Sequence, residues 1–269
     1  MNKPEIINYF DSISKDRDAW RTKSTYYHSE VLRLIKTLVP ENCSVLDIGS
    51  STGELLNRLR PAKGVGIDLS KEMSALSAKK FPHLKFLAQD AEDIQLKDKF
   101  DYIVMSGSIG VFCDVWKVFR GLRDVSDEET RLVITYYNGI WEPILKLAEK
   151  LNLRMPRPYQ NWLDMNDINN LLYLNGFEVI RKGRRLLLPV NIPVISWLFN
   201  RFILNLPLIS NLCLIEYLVA KKLFIKENKD LRCSVVVPCR NEVGNIQPLL
   251  DKLPLMGNST EVIFVDGYS

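Results

Sequence analysis

The sequence contains little histidine and no paired cysteines. Only two histidines are present among 269 residues, and the five cysteines are scattered, with no Cys-x-x-Cys pair. Zinc sites are built from clustered cysteine and histidine ligands, and secreted disulfide scaffolds use an even set of cysteines. We therefore expect no metal site, and we expect reduced thiols in a cytoplasmic protein.

Long apolar runs and a strong excess of one charge are also missing. The most apolar stretch, 186–220, begins with uncharged runs of 15 and 14 residues separated by Arg201, whereas a membrane-spanning helix needs about 20. The N-terminus has no apolar signal-peptide core. The net charge is only +4, from 36 basic and 32 acidic residues. These absences argue against export, a spanning helix and nucleic-acid binding.

What is present is the composition of an ordinary globular protein, with 46% hydrophobic and 25% charged residues. Short apolar runs alternate with helical patterns of about 10–15 residues, which is typical of βαβ units and a parallel sheet. We predict a Rossmann-like, doubly wound α/β fold with a seven-stranded, mostly parallel sheet and an insertion before the last strand. The predicted strands are 44–48, 64–67, 84–88, 102–105, 131–136, 177–182 and 212–220.

The predicted domains are unequal in size. One domain covers 1–225 and begins with a helical region at 5–39. A charged linker follows at 226–231, and a partial α/β segment occupies 232–269. Since chains of about 40 residues seldom fold unaided, we expect the last segment to be the truncated start of a second domain.

The carboxyl ends of the predicted strands carry the residues of a nucleotide site. Asp47, Gly49, Ser51 and Gly53 follow the first strand, and Asp68 ends the second, 21 residues after Asp47. An acid at that spacing can accept hydrogen bonds from both ribose hydroxyls, and open α/β sheets bind ligands at this edge. A dinucleotide fingerprint would need glycine at positions 51 and 54, where serine and glutamate stand, so we disfavour NAD.

Four motifs in chain order, VLDIGSSTGELL, GIDLS, AQDAED and FDYIVMSGSI, resemble those of class I S-adenosylmethionine-dependent methyltransferases. The resemblance covers residues 40–135, and it departs from the family at Ser51, where a glycine is usual. It implies S-adenosyl-L-methionine as the cofactor. The positions that match the family's cofactor-binding residues are Asp47, Gly49, Ser51, Gly53, Asp68, Leu69, Asp90, Ala91, Met105 and Ser106.

The stretch 17–28 is dense in aromatic and ionisable residues, and it resembles the lid of methyltransferases that are joined to glycosyltransferases. His28 is the candidate catalytic base, which is needed only where an acceptor hydroxyl must lose its proton. Tyr26 and Tyr27 are candidate walls of the substrate pocket. Alternatively, the tyrosines are packing residues and His28 is a surface or capping residue.

The segment 181–206 joins a basic cluster to an apolar stretch interrupted by prolines. Basic side chains attract anionic headgroups, and an apolar face can enter the membrane interface. One prediction is therefore peripheral contact with the inner face of the membrane. The alternative is an ordinary insertion that packs on the sheet or on the acceptor, with solvated arginines.

Residues 233–269 resemble the opening of a family 2 glycosyltransferase with a GT-A fold. A strand leads into PCRNE, and a helix and second strand lead into VDGYS. In that family the loop and the acid contact the nucleotide of the sugar donor, and the matching positions are Pro238, Arg240, Asn241, Glu242 and Asp266. Later motifs of the family have no counterpart, so we expect no glycosyl transfer by this segment. Alternatively, it is a short βαβ appendage of the first domain.

The function predicted from the sequence is methyl transfer from S-adenosyl-L-methionine. The acceptor would be a small molecule, specifically a hydroxyl of a sugar or lipid-linked glycan intermediate, and the chain would be the N-terminal part of a methyltransferase–glycosyltransferase fusion. The alternative is a non-catalytic, methyltransferase-like module that scaffolds a glycosyltransferase or docks it to a membrane.

Overall fold

The computed structural model describes residues 2–157, 159–206, 208–223 and 231–268. It divides into two compact units, Met1–Leu223 and Phe224–Ser269. The predicted linker at 226–231 lies, except for Leu231, outside the described residues, so the predicted domain limits stay a prediction.

The first unit begins with three helices, α1 (Lys3–Ser12), α2 (Arg17–Lys23) and α3 (Thr25–Leu38). The helical region predicted at 5–39 is therefore real but interrupted. A capping box starts α1, where the Asn2 side chain accepts a hydrogen bond from the Glu5 backbone N–H. The third helix buries Val31, Leu34 and Ile35 against the sheet, which is the apolar face that its spacing predicts.

The sheet has seven strands in the order β3-β2-β1-β4-β5-β7-β6. All neighbouring pairs are parallel except the two pairs that contain β7. This confirms the predicted seven-stranded, mostly parallel α/β fold. The strands are β1 (Ser44–Ile48), β2 (Lys63–Asp68), β3 (Lys85–Ala88), β4 (Tyr102–Ser106), β5 (Arg131–Tyr137), β6 (Phe177–Arg185) and β7 (Ile215–Lys222).

Helices cover both faces of the sheet. Alternate residues of β4 enter different cores, because successive strand side chains point to opposite faces: Ile103 and Met105 pack on one side and Val104 on the other. The Val104 side is covered by α3, α4 and α7, and the Met105 side by α6 and α8. The helices that follow β1 are α4 (Glu54–Leu59), α5 (Lys71–Lys80), α6 (Val115–Leu122), α7 (Glu142–Lys150), α8 (Met165–Leu174) and α9 (Ile195–Arg201).

The insertion between β6 and β7 carries α9 and short 3₁₀ turns. Helix α9 begins two residues after Pro193 and ends at Arg201. The last strand begins later than predicted, at Ile215 rather than 212. Among the described residues, no helix is long and apolar enough to cross a membrane.

The second unit contains β8 (Arg232–Cys239), α10 (Val243–Lys252) and β9 (Ser259–Asp266). The two strands pair in parallel, from Arg232 with Ser259 to Cys239 with Asp266. A strand–helix–strand unit is the arrangement expected for this segment from its sequence.

Candidate functional site

A glycine turn connects β1 to α4. Gly49 has φ of +75°, and a Cβ there would lie 2.6 Å from the Ser108 Cβ. Gly53 precedes α4 with φ of +76°, and a Cβ would lie 2.6 Å from the ring of Phe86. Both positions therefore need glycine for conformation and for space.

Ser51 replaces the usual middle glycine, and its φ of +50° explains why glycine is usual there. Its backbone N–H donates to Asp68 Oδ2 at 2.8 Å. Its hydroxyl accepts a hydrogen bond from Arg17 Nε at 3.1 Å. The serine thus keeps the turn and adds a contact to the N-terminal helices.

Two acids lie beside this turn, of which Asp47 is buried and Asp68 is partly exposed. Asp68 accepts hydrogen bonds from the backbone N–H groups of Ser51 and Ser70, at 2.8 and 2.9 Å. Burial raises its pKa in spite of these bonds. Burial and the nearby Asp68 raise the pKa of Asp47 to about 7. Asp47 Oδ2 is buried with no hydrogen-bond partner among the described atoms.

Helix α1 brings a lysine to the end of β3. Lys3 Nζ lies 2.6 Å from Asp90 Oδ2 and 2.6 Å from Glu92 Oε2. Burial alone would lower the pKa of Lys3, but these two carboxylates raise it above its ordinary value. The sequence predicts that residues 17–28 form a lid over the cofactor site. In the structure, α1 contributes most of the N-terminal residues that line the site, and Arg17 is the one described lining residue from 17–28.

These elements enclose a main cleft with an empty volume of about 860 Å³. Seven of the ten predicted cofactor residues line it: Gly49, Ser51, Asp68, Leu69, Asp90, Ala91 and Ser106. Asp47 and Gly53 do not line the cleft. Met105 does not reach the cleft, because strand alternation turns its side chain into the core, where it is fully buried.

The structure places His28 away from the main cleft. It lines a separate surface cavity with Asp18, Arg21 and Glu54. Burial and the neighbouring arginines lower its pKa to about 3, which makes it a weak base. The geometry therefore gives no support to the predicted role of His28 in proton transfer.

Tyr26 and Tyr27 also lie outside the main cleft. The Tyr26 hydroxyl accepts a hydrogen bond from Asn200 Nδ2 at 3.0 Å, which ties α3 to the insertion. The Tyr27 ring stacks on Tyr137, with centroids 5.7 Å apart. Both are packed partly into the core, which agrees with the packing alternative rather than with direct walls of the main cleft.

A side cavity of about 280 Å³ adjoins the main cleft, and Gly107 and Arg157 line both. Tyr137, at the end of β5, forms part of its wall. Burial would raise the Tyr137 pKa, but the charges of Arg157 and Arg154 and hydrogen bonds from Tyr27 and Arg154 lower it.

Sequence reasoning missed the residues that α1 and the 151–164 segment bring to the main cleft. The helix signal for α1 was present in its capping box and Pro4, but nothing in the spacing shows which helix covers the sheet edge. The 151–164 segment has no motif at all. These residues are Lys3, Ile6 and Phe10 of α1 together with Met155 and Arg157. Met73 of α5 and Phe112, between β4 and α6, line the main cleft as well and were also missed.

A family profile described as "Methyltransferase domain" matches residues 19–182, more than half of the chain. The chain therefore belongs to this methyltransferase family. Two curated relatives give partial matches. A dTDP-4-amino-2,3,4,6-tetradeoxy-D-glucose N,N-dimethyltransferase of Saccharopolyspora spinosa is 32% identical over 104 residues, which is 37% of this chain and 40% of that protein. A malonyl-[acyl-carrier protein] O-methyltransferase of Marinomonas sp. is 28% identical over 120 residues, 41% of this chain and 43% of that protein.

Solved structures share the fold at low sequence identity. An S-adenosylmethionine-dependent methyltransferase of Thermotoga maritima has a TM-score of 0.63 at 16% identity, covering 81% of this chain and 99% of that one. The magnesium protoporphyrin IX methyltransferase of Synechocystis, with bound S-adenosylhomocysteine, has a TM-score of 0.55 at 20% identity, covering 82% and 99%. The chain thus belongs to a methyltransferase family by sequence and has the fold of S-adenosylmethionine-dependent methyltransferases.

The main cleft fits the cofactor of this family. Asp68 keeps free lone pairs beside its two backbone bonds, and these could accept from ribose hydroxyls. Leu69, Ala91 and Phe112 supply apolar surface for a base.

Proposed function

We propose that this protein transfers a methyl group from S-adenosylmethionine to a hydroxyl of a sugar or lipid-linked glycan intermediate. The observation that carries the methyl transfer is the main cleft, in which the glycine turn, Asp68 and Asp90 meet at one sheet edge. In that reaction the acceptor oxygen takes the methyl group and the bonding electron pair stays on the cofactor sulfur. The hydroxyl proton leaves to solvent or a nearby acceptor.

Different residues of the chain would bind different parts of the cofactor. Asp68 would accept hydrogen bonds from the ribose hydroxyls, and Leu69 and Ala91 would contact the adenine. Arg17, at the glycine turn, would pair with the carboxylate of the amino-acid end. When bound, the cofactor supplies an electrophilic methyl group on a sulfonium. Positioning an acceptor at the Gly107 junction would supply much of the rate.

Support for a sugar acceptor comes from two sides. The Saccharopolyspora relative acts on a dTDP-linked aminosugar, although the chain spans only about 40% of that protein's length. Residues 233–269 resemble the start of a family 2 glycosyltransferase, and β8, α10 and β9 form the matching strand–helix–strand. We therefore propose a methyltransferase domain at 1–225, a linker at 226–231 and a glycosyltransferase start at 232–269.

Methyl transfer into fractionated acceptors tests this function. Radiolabelled S-adenosylmethionine is incubated with the full chain and with glycolipid and nucleotide-sugar fractions of cells. We expect label in one of these fractions, and loss of it with Asp68→Ala, since that change removes the ribose contact. Label confined to protein or to other small molecules contradicts the sugar assignment, and no binding of S-adenosylhomocysteine contradicts the methyltransferase assignment itself.

We also propose peripheral contact of the insertion with a membrane that contains anionic lipid. Val194, Trp197 and Leu208 are 74%, 61% and 84% exposed, and the exposed Arg185 and Arg201 line one surface cavity together with Val194 and Trp197. Arg184 does not belong to this surface charge, because it pairs with the buried Glu216 at 2.7 Å.

Sedimentation with vesicles tests the membrane contact. Vesicles with 30 mol% phosphatidylserine, or with phosphatidylcholine alone, are spun with wild type, with Trp197→Ala and with Trp116→Ala. Trp116 is the matched control, since it is 41% exposed on α6. We expect binding only with phosphatidylserine and a loss with Trp197→Ala alone. Equal binding of both variants, or none by wild type, contradicts the proposal.

A further inference from the structure

Two arginines of the main cleft form no ion pair with an acid among the described residues, and one of them, Arg157, also lines the side cavity. Arg17 donates to the Ser51 hydroxyl at 3.1 Å, and its Nη1 approaches Met155 Sδ at 3.4 Å. Arg157 Nη1 donates to the Gly107 carbonyl at 3.4 Å. Over the described ranges, neither guanidinium forms an ion pair. Burial and the charge of Arg157 lower the pKa of Arg17 to about 10, so Arg17 is still charged at neutral pH.

The cofactor can satisfy only one of these two charges. Its amino-acid end carries a single carboxylate, together with an ammonium and the sulfonium, so it adds more positive than negative charge. Arg17 is the nearer to the glycine turn and is the natural partner of that carboxylate. Two partly buried cations cost free energy unless an anion compensates each of them, which leaves Arg157 without a counter-ion when the cofactor is bound.

Arg154 provides an internal comparison for Arg157. Both guanidinium groups lie over the ring of Tyr137, at 4.8 Å for Arg154 and 5.3 Å for Arg157. Arg154 forms an ion pair with Glu149, whereas Arg157 faces two cavities. The first arginine is thus neutralised within the protein, and the second presents its planar fork to the space where an acceptor would lie.

We infer that the side cavity binds an oxyanion of the methyl acceptor, a carboxylate or a phosphate, through Arg157. This inference rests on the proposed methyltransferase function and specifies the acceptor. A guanidinium suits either oxyanion, because its parallel N–H groups match two oxygens at once. The side cavity is narrow, so it would admit the anionic group alone, and the rest of the acceptor would lie in the adjoining main cleft.

Thermal unfolding of the full chain saturated with S-adenosylhomocysteine tests the inference. Inorganic phosphate, acetate and the neutral acetamide are added separately at constant ionic strength. A ligand that binds the folded state raises the Tm, by about 3 °C or more near saturation for a chain of this size. We expect a rise with phosphate, acetate or both, and none with acetamide. A rise with phosphate alone assigns a phosphorylated acceptor, and a rise with acetate alone assigns a carboxylate.

Three variants locate the effect. Arg157→Gln is expected to weaken oxyanion binding at least about tenfold, Arg157→Lys to weaken it less, and the exposed Arg120→Gln to leave it unchanged. All should bind S-adenosylhomocysteine within about threefold of wild type. The inference is overturned if neither oxyanion raises the wild-type Tm, or if Arg157→Gln and Arg157→Lys respond as wild type does. If the wild type does not bind S-adenosylhomocysteine at all, the proposed function fails instead.

Discussion

The two ends of the main cleft differ in charge and in origin. The end formed by β1, β2 and β3 presents Asp68, Asp90 and Glu92, with Asp47 buried behind them. The end formed by β4 and β5 presents Arg157, and Arg17 lies beside the glycine turn. The acidic end comes from strand termini separated by short helices, whereas Arg157 lies between α7 and α8, outside both helices.

This difference separates the end of the cleft that suits the cofactor from the end that suits the methyl acceptor. The acidic end offers what the cofactor requires, namely ribose acceptors and negative charge beside a cationic sulfonium. The arginine end offers nothing that the cofactor still needs once Arg17 has been used. We therefore expect the arginine end to determine which acceptor binds.

The largest expected effect concerns Asp47. Its pKa is raised from 3.8 to about 7 in the folded protein, so the folded state binds the proton more tightly than the unfolded state does. Without ligand, stability relative to Asp47→Asn should fall as the pH rises from about 4 to 7 and stay constant above that. The total is at most about 4 kcal/mol, measured by urea unfolding at several pH values. A difference curve for Asp47→Asn that does not change with pH would show that the acidic end carries no electrostatic strain.

The glycines at the two ends of the cleft form a matched pair. Gly49 and Gly107 both have positive φ, +75° and +67°, but only at Gly49 would a Cβ meet another atom within 4 Å. Gly107→Ala should cost about 1–2 kcal/mol from backbone strain alone. Gly49→Ala should cost about 1–3 kcal/mol more, because it also overpacks against Ser108. Urea unfolding measures the loss of stability of both variants. Equal losses would mean that an alanine side chain fits at position 49 without displacing Ser108.

Asp68→Asn tests the acidic end by binding. The variant keeps the shape of the side chain but removes the charge that accepts from backbone and ribose donors. We expect S-adenosylhomocysteine to bind about 10- to 100-fold more weakly by calorimetry, the equivalent of about 1.5–3 kcal/mol for a charged hydrogen bond. Asp93→Asn serves as the control. Unchanged affinity in a folded Asp68→Asn would remove the ribose assignment.

The same contrast explains how much could be predicted from sequence. The alternation of strands and helices along the chain, the glycine turn, Asp68 and Asp90 follow from local spacing, because a parallel sheet brings successive strand ends to one edge. The order of the strands within the sheet and the burial of the Met105 side chain were not predicted, since both depend on how the strands pair. Arg157 and Lys3 could not be found, since their positions depend on how remote segments pack across that edge. His28 shares a dense stretch with Arg17, yet the break between α2 and α3 directs the two side chains to different cavities.

The smallest expected effect concerns the contact that joins the two ends, between Ser51 and Arg17. Ser51→Gly relieves a positive φ, and so does Arg60→Gly, where φ is +51° at an exposed helix end. Relief alone should stabilise each variant by about 1 kcal/mol. Ser51→Gly also loses the hydrogen bond from Arg17, which is worth about 0.5–1.5 kcal/mol. We therefore expect Arg60→Gly to be the more stable of the two in urea, by about that amount. If Ser51→Gly gains as much stability as Arg60→Gly, the serine hydroxyl does not hold Arg17. The position of Arg17 beside the glycine turn must then be set by Met155 and the surrounding helices.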